Sequence, residues 1–190
     1  MNCLAIDTTN TKLTVVFFKD DKIFHREIEV GKSGHSRLLM PTIDEVLEEA
    51  DADFSAVEAV AAVVGPGSFT GIRIGVSAMK AIAFANNAKR ISVTSFEVIS
   101  YNCANVLAAV DAGHGNLYCA ECENGEVKSA RFISDGENNI PSLAMTKPVC
   151  DNWLALAGVV RKKLENGCFQ DVLSPFYMRK SQAEREKDEI

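Results

Sequence analysis

The chain has 190 residues and a formal net charge of −6, with 47% hydrophobic and 24% charged residues. This length is sufficient for one substantial hydrophobic core or two small ones. The negative charge argues against autonomous nucleic-acid binding, because phosphate contacts need a basic face. No apolar run reaches the roughly 20 residues that cross a bilayer, and the N-terminus lacks the basic segment of a signal peptide. The six cysteines are scattered. We therefore expect a cytoplasmic protein with free thiols and no membrane association.

The first half of the chain alternates strand and helix patterns. The predicted elements, in chain order, are strands over 3–6, 14–18 and 22–30, a helix from near Pro41, a buried strand over 57–64, a helix over 70–86, a strand over 91–94 and a helix over 95–102. Pro41 sets the expected start of the first helix, because proline is tolerated in a first turn and disrupts a helix interior. A strand–helix–strand unit behind a three-stranded meander favours an α/β fold over a bundle or a sandwich.

The second half repeats the opening of the chain in a reduced form. Its predicted elements are strands over 106–110 and 117–122 joined by a hairpin at 112–116, a loop over 134–148, a short helix over 153–163 and a frayed tail from 181. Asp7 and Asp111 lie 104 residues apart, and each follows a short apolar strand and precedes a turn. We therefore expect two subdomains, residues 1–103 and a shortened second one at 104–190.

A glycine-rich block over 65–75 separates the buried strand from the long helix. Such a turn can direct backbone N–H groups at an anion. The Walker pattern needs Gly-Lys-Ser/Thr, whereas Gly71 is followed by Ile72. The dinucleotide pattern starting at Gly65 needs Gly or Ala where the chain has Thr70. The block therefore favours a tight structural turn over a phosphate site.

The helix over 70–86 is apolar on nearly all sides. We expect its outer face to dock on another subunit together with the first helix; the alternative is a helix buried entirely within the chain. An interior glycine such as Gly75 costs about 0.5–1 kcal/mol relative to alanine, which indicates close backbone approach. The predicted interface residues are His35, Leu39, Ile43, Gly71, Ile72, Gly75, Ala78, Met79 and Ile82. A buried charge, as in Gly75→Glu, is expected to abolish association while leaving the fold mostly intact.

Asp7 and Asp111 are the candidate cofactor-binding residues, because actin-like ATPases place phosphate-loop and metal-orienting acids where a strand ends at a turn. The loop over 7–12 has no glycine, so a phosphate could not approach its backbone closely, and ATP hydrolysis is not expected. Alternatively, both aspartates only satisfy N–H groups of their turns.

The remaining polar residues do not form a recognisable reactive motif. The three histidines lack metal-ligand spacing, and no nucleophile motif is present. Cys119 and Cys122 fall on a predicted strand and point to opposite faces, which does not fit a redox pair. We therefore expect no catalytic residue, no tightly bound cofactor and no metal on this chain.

Several stretches, in their order along the chain, resemble the TsaB (YeaZ) family. The matching stretches are 4–9, 35–36 with 39–41, 65–75, 93–97, 111–112 with Tyr118, and 175–179. The match is dense over 3–97, thinner over 106–120 and isolated at 175–179, and the glycine-rich block is its most specific part. The chain departs from the family in its shorter second half. It also has Gly113 where the family commonly has Arg after Asp-Ala.

The resemblance implies an actin-like ATPase (ASKHA, ribonuclease H-like) fold with two subdomains, the second reduced. It also implies a non-catalytic partner in the threonylcarbamoyladenosine (t6A) modification of tRNA, which binds the catalytic paralogue TsaD and is joined by the ATPase TsaE. ATP and metal are then expected on the partner subunits, and tRNA is reached only through the complex. The family's docking surface uses the first two helices, and self-association through it is expected when the partner is absent.

Two other functions stay open at this point. One is a self-sufficient actin-like ATPase or glycoprotease-like hydrolase, which measurable ATP turnover or tightly bound metal would favour. The other is a homodimeric interaction module unrelated to tRNA, which recovery of a TsaD-like protein in a pull-down would exclude.

Overall fold

The computed structural model of the chain describes residues 1–30, 34–135 and 144–179. The elements of the N-terminal part are β1 (Cys3–Asp7), β2 (Lys12–Lys19), β3 (Lys22–Glu29), α1 (His35–Glu49), β4 (Ala59–Val63), α2 (Phe69–Ala85), β5 (Lys89–Val93) and α3 (Ser95–Ile99). The later elements are β6 (Asn105–Gly113), β7 (Asn116–Glu123), β8 (Glu126–Ile133) and α4 (Asn152–Glu165). No helix among the described residues is both long enough and apolar enough to cross a membrane.

The first five strands form one mixed sheet in the order β3-β2-β1-β4-β5. β2 runs antiparallel to both of its neighbours, whereas β1, β4 and β5 run parallel to one another. This arrangement is the ribonuclease H-like sheet of actin-like proteins, and it confirms the predicted fold class. β1 and β4 are buried along their whole length, because parallel strands at the centre of a sheet are covered on both faces.

Helices cover both faces of this sheet. α1 and α2 pack on one face, where Ile43 and Met79 join the core formed by Leu4 and Phe17. α4 packs on the opposite face through residues such as Leu156. The division into 1–103 and 104–190 stays a prediction. The strands of the first sheet precede this boundary in the chain and those of the second sheet follow it, but α4, which also follows it, packs on the first sheet.

α1 begins at His35, so the expected start near Pro41 is wrong. A proline inside a helix removes the hydrogen bond to the carbonyl four residues earlier, here that of Arg37. Pro41 and Arg37 both lie on the exposed side of α1, where water can satisfy that carbonyl. The buried side of the helix, which includes Leu39 and Ile43, stabilises the helix through this interruption.

The last three strands form a second, antiparallel sheet in the order β6-β7-β8. β8 is absent from the sequence-based prediction, because six of its eight residues are exposed and no apolar alternation marks it. A local signal was nevertheless present: Asn124 and Gly125 both adopt positive φ at the β7–β8 turn. An Asn-Gly pair is the strongest short-range indication of a hairpin.

Of two predicted irregular segments, one falls partly and the other wholly outside the described residues. These are the loop over 134–148, of which 136–143 is not described, and the frayed tail, since 180–190 is not described. Within the described part of that loop, Met145 pairs in parallel with Ala108 of β6 through backbone hydrogen bonds to Leu107 and Ala109. This short pairing covers the outer edge of the second sheet.

The six cysteines are free and differ in exposure. Complete burial raises the pKa of the Cys3 thiol to about 12, whereas Cys168 is exposed. Because the thiolate is the reactive form, we expect an alkylating reagent at mildly alkaline pH to modify Cys168 in the native protein and to spare Cys3. Peptide mass spectrometry before and after denaturation measures this order. Equal labelling of the two residues in the native state would contradict the burial of β1.

Candidate functional site

The turn between β1 and β2 holds the carboxylate of Asp7, which is 2% exposed. Thr9 donates to Asp7 Oδ1 from its backbone N–H at 2.8 Å and from its hydroxyl at 2.7 Å. Asn10 Nδ2 and Asn152 Nδ2 donate to Oδ2 at 3.0 and 3.1 Å. Both carboxylate oxygens are therefore engaged by donors of the chain itself. Since Asn152 is the first residue of α4, this carboxylate also ties α4 to the first turn.

The glycine-rich block packs directly against this turn. The Thr8 hydroxyl donates to the carbonyl of Gly71 at 2.7 Å. A Cβ atom on Gly71 would collide with the Thr8 carbonyl oxygen, and one on Gly75 would collide with the Thr8 hydroxyl. A Cβ on Gly67 would lie 2.5 Å from the carbonyl oxygen of Thr9. The glycines are therefore required by the close approach of the chain's own first turn, in agreement with the structural turn predicted for this block.

The first turn does not fit the phosphates and metal that an actin-like ATPase holds between its two turns. Both oxygens of Asp7 already accept hydrogen bonds from the chain, and Thr8 and Thr9 occupy the approach to the glycines. Asp111 is exposed, and its Oδ1 accepts a hydrogen bond from the Gly113 N–H at 2.8 Å. Within the described ranges, no group of three or more His, Cys, Asp or Glu side chains is arranged to hold a metal ion.

A cleft of about 410 Å³ opens beside the glycine-rich turn. Its lining comes from residues 66–69 and Ile72, from 111–113 and Tyr118 of the second sheet, and from 176–179 after α4. Asp111 thus lines this cleft, whereas Asp7 does not. The structure does not bring the two candidate cofactor residues together in one pocket.

The segment after α4 is fixed in place against α2 and forms one wall of the cleft. The Phe176 N–H donates to the Val64 carbonyl at 2.8 Å. The Tyr177 ring stacks on Phe69, and Arg73 Nε donates to the Tyr177 hydroxyl at 3.2 Å. The sequence marks 175–179 only as a stretch of family resemblance, because its contacts lie about a hundred residues away and leave no local pattern.

The residues predicted for the partner interface lie mostly inside the chain. His35, Leu39, Ile43, Gly71, Ile72, Gly75, Met79 and Ile82 are buried, and Ala78 is half-buried. They face the first sheet and its first turn, so the eight buried ones cannot be the contact surface of the folded chain. Gly75→Glu would disrupt the fold as well as any interface, which corrects the effect expected from the sequence. The interface itself stays a prediction.

The outer face of α2 carries different residues. We define it by the exposed positions Thr70, Arg73, Ser77, Lys80, Ala81, Phe84 and Ala85. The Phe84 side chain is 85% exposed, the largest exposure among the large apolar residues that the structure describes. The buried side of the helix carries branched residues and glycines, whereas its outer face combines small residues and one aromatic ring with the charged residues Arg73 and Lys80. Such a face allows close approach of another helix.

The family model described as "TsaD: tRNA N6-adenosine threonylcarbamoyltransferase" matches residues 29–144, which is more than half of the chain. The chain belongs to this family. The matched region runs from the end of β3 through the whole second sheet, and so includes the glycine-rich block and all of the cleft lining except 176–179.

Individual relatives of the chain include proteins named "tRNA threonylcarbamoyladenosine biosynthesis protein TsaB". The Bacillus subtilis protein is 30% identical over 122 residues, which is 62% of the chain and 53% of the relative. The Escherichia coli protein is 29% identical over 132 residues, 66% of the chain and 57% of the relative. A tRNA N6-adenosine threonylcarbamoyltransferase of Ligilactobacillus salivarius is 32% identical over 117 residues, 62% of the chain and 26% of the relative. The chain spans a little over half the length of the TsaB relatives it matches.

A solved structure has the same fold over nearly the whole chain. YeaZ from Pseudomonas aeruginosa superimposes with a TM-score of 0.74 at 23% identity, covering 93% of this chain and 99% of that one. Together with the TsaB relatives, this match confirms the TsaB (YeaZ) resemblance that the sequence motifs indicated.

Proposed function

We propose that the chain is a non-catalytic partner subunit in the t6A modification of tRNA, acting in the cytoplasm. The observation that carries the non-catalytic role is the engagement of Asp7 by Thr9, Asn10 and Asn152. A carboxylate with both oxygens held by neighbouring donors is a structural group and is not available to orient a metal or a phosphate. The names of the TsaB relatives and the TsaD family model support the pathway.

The proposed partner is a TsaD-like catalytic paralogue that contacts the outer face of α2. Phe84 projects into solvent, and the small residues Ser77 and Ala81 beside it permit close helix–helix approach. An exposed aromatic ring beside small residues has the character of an interface anchor. A TsaE-like ATPase joins this assembly, ATP and metal reside on the partner subunits, and tRNA is reached through the complex. Without the partner, the same face supports a homodimer.

The variant Ala81→Glu tests this surface. Ala81 is exposed in the isolated chain, so the glutamate is solvated there and the fold is retained. In a complex the charge would be buried without a partner, which costs about 3–5 kcal/mol and weakens binding on the order of 100-fold or more. Co-purification with the TsaD homologue of the same organism measures binding. Formation of t6A on unmodified tRNA by the reconstituted proteins measures function.

Val127→Glu is the matched control, because it introduces the same charge at an exposed residue of β8 in the second sheet. It is expected to bind and support modification as the unchanged chain does. Ala81→Glu binding with unchanged affinity would refute the proposed surface. If the unchanged chain bound the TsaD homologue tightly but contributed nothing to t6A formation, the proposed function would be refuted and the proposed partner would be supported. Sustained ATP turnover by the purified chain would favour the ATPase alternative.

A further inference from the structure

The C-terminal half of α1 presents a uniformly acidic surface to solvent. Its exposed residues over 42–49 are Asp44, Glu45, Glu48 and Glu49. Arg26 of β3 approaches two of them, with its Nη1 2.6 Å from Glu49 Oε2 and its Nε 4.0 Å from Glu45 Oε2. Within the described ranges, Asp44 and Glu48 take part in no ion pair. Two carboxylates of this surface are therefore left to solvent in the isolated chain.

These acids lie where the helix itself disfavours them. The C-terminal end of a helix carries a partial negative charge, so carboxylates in the last turn of α1 are destabilising. Asp44 and Glu48 are four residues apart, as are Glu45 and Glu49, and like charges at this spacing also destabilise a helix. The exposed cation of α1, Arg37, lies in the first turn, which is again the unfavourable end. Because proteins break such local rules chiefly at functional sites, the charges of α1 indicate recognition.

The outer face of α2 carries the opposite charge. Its charged residues are Arg73 and Lys80, and the helix contains no acidic residue. Arg73 donates to the Tyr177 hydroxyl, and its guanidinium carbon lies 3.9 Å from the centroid of Phe69. Neither cation takes part in an ion pair with another described residue. The positive charge of this face is therefore not compensated by the part of the chain that the structure describes.

The two helices form one continuous surface. α1 and α2 contact each other on the same face of the first sheet, and their exposed residues point away from that sheet. We call these exposed residues together the two-helix surface. It includes Met40 of α1 and Phe84 of α2, which are 42% and 85% exposed. Exposed apolar side chains flanked by charged residues are typical of protein interfaces.

We propose that the two-helix surface selects and orients the TsaD-like partner by its charge pattern. The partner places basic side chains over the acidic half of α1 and carboxylates over Arg73 and Lys80. The inference rests on the proposed function, and it adds the chemistry of the partner's contact surface. Complementary charges steer the encounter and fix its orientation, and like charges disfavour wrong partners. A basic partner surface would also offset the repulsion among the acids of α1.

Two single variants test this proposal by reversing one exposed charge on each helix, Glu48→Lys on α1 and Lys80→Glu on α2. Surface plasmon resonance at low ionic strength measures their binding to the TsaD homologue of the same organism. Each variant should bind about 3- to 30-fold more weakly, mainly through slower association, because an attraction becomes a repulsion. Added salt should weaken binding of the unchanged chain and narrow its difference from the variants.

The stability of Glu48→Lys separates recognition from a structural role. The new lysine would lie four residues after Asp44 and close to the helix C-terminus, and both placements favour the helix. The Tm of the isolated chain should therefore not fall, although binding weakens. Glu165→Lys, in the last turn of α4, and Lys147→Glu introduce the same charge changes at exposed positions outside both helices. These two control variants should bind as the unchanged chain does.

The double variant Glu48→Lys with Lys80→Glu distinguishes the proposed partner from a second copy of the chain. Exchanging the charges of the two helices leaves two copies of the variant complementary to each other, with α1 of one facing α2 of the other. The same exchange opposes a TsaD-like partner at both helices, so we expect the double variant to bind it more weakly than either single variant. If the double variant instead self-associated normally, the single variants did not, and all three bound the TsaD homologue equally, a second copy would be the occupant and the proposal would be wrong.

Other results would also overturn the proposal. One is equal affinity of the unchanged chain and both single variants for the TsaD homologue at low ionic strength. Another is affinity of the unchanged chain that does not depend on salt. If Ala81→Glu weakened binding while both charge reversals did not, the proposed partner would stand and the charge selection alone would fail. If the unchanged chain did not bind the TsaD homologue at all, the proposed partner would fail as well.

Discussion

Gly71→Ala is expected to destabilise the chain by about 3 kcal/mol or more. The added methyl group would collide with the Thr8 carbonyl oxygen, and a backbone atom cannot rotate away as a side chain can. Overpacking typically costs about 1–3 kcal/mol. Separating the two segments would also break the hydrogen bond from the Thr8 hydroxyl to the Gly71 carbonyl. Urea unfolding measures the change in the free energy of unfolding.

Two neighbouring variants on α2 calibrate this prediction. Gly75→Ala meets the Thr8 side chain and Ile6 rather than a backbone oxygen, so its cost should be smaller. Ser77→Ala, on the exposed side of the same helix, should change stability by no more than about 0.5 kcal/mol. If Gly71→Ala were no more destabilising than Ser77→Ala, the close packing of the block against the first turn would be wrong.

Asp7→Ala is expected to cost about 3–5 kcal/mol, which is the second large effect. The substitution leaves the buried N–H and hydroxyl of Thr9 without this acceptor, and it removes one hydrogen bond each from the amides of Asn10 and Asn152. Unsatisfied buried donors cost about 1–3 kcal/mol each, although such costs are not additive within one network. For a chain of this size the loss corresponds to a fall in Tm of about 6–20 °C. Thermal unfolding followed by circular dichroism measures it.

Asp53→Ala provides a matched control for Asp7. Asp53 Oδ1 accepts from the Ser55 N–H at 2.8 Å and from its hydroxyl at 2.5 Å, the same local pattern that Asp7 makes with Thr9. Asp53 is exposed, so water replaces the carboxylate when it is removed, and the fall in Tm should be much smaller. Similar losses in the two variants would show that burial and the contact with Asn152 add nothing to the role of Asp7.

The partition of α2 into a buried and an outer side shows where sequence reasoning succeeded and where it failed. Its composition correctly indicated close backbone approach at Gly71 and Gly75. The approaching group, however, is Thr8 of the same chain, which lies 63 residues away from Gly71. A local pattern contains no information on which distant segment fills the space above a glycine. The same small residues are therefore compatible with an internal turn and with a partner subunit.

The site residues that sequence reasoning missed are defined by long-range contacts. Asn152 reaches Asp7 across 145 residues, and Tyr177 reaches Arg73 across 104. Neither contact has a spacing or periodicity that could be recognised in advance. β8 is a different case, because the Asn-Gly pair at 124–125 was a readable signal. The α/β class was predictable because a strand–helix–strand unit behind a three-stranded meander favours it, whereas the actin-like fold was expected from the family resemblance.

The packing of α4 on the first sheet has a consequence for folding during synthesis. The face of the sheet that includes Val16, Ala61 and Ile91 is covered by Leu156 and Val160. While a ribosome is still making the residues before α4, this apolar face lacks the cover that α4 provides. The first hundred residues therefore emerge as an incomplete unit with an exposed sheet surface, which is the kind of intermediate that chaperones bind. This face of the first sheet is fully covered only after α4, near the end of the described chain, has been synthesised.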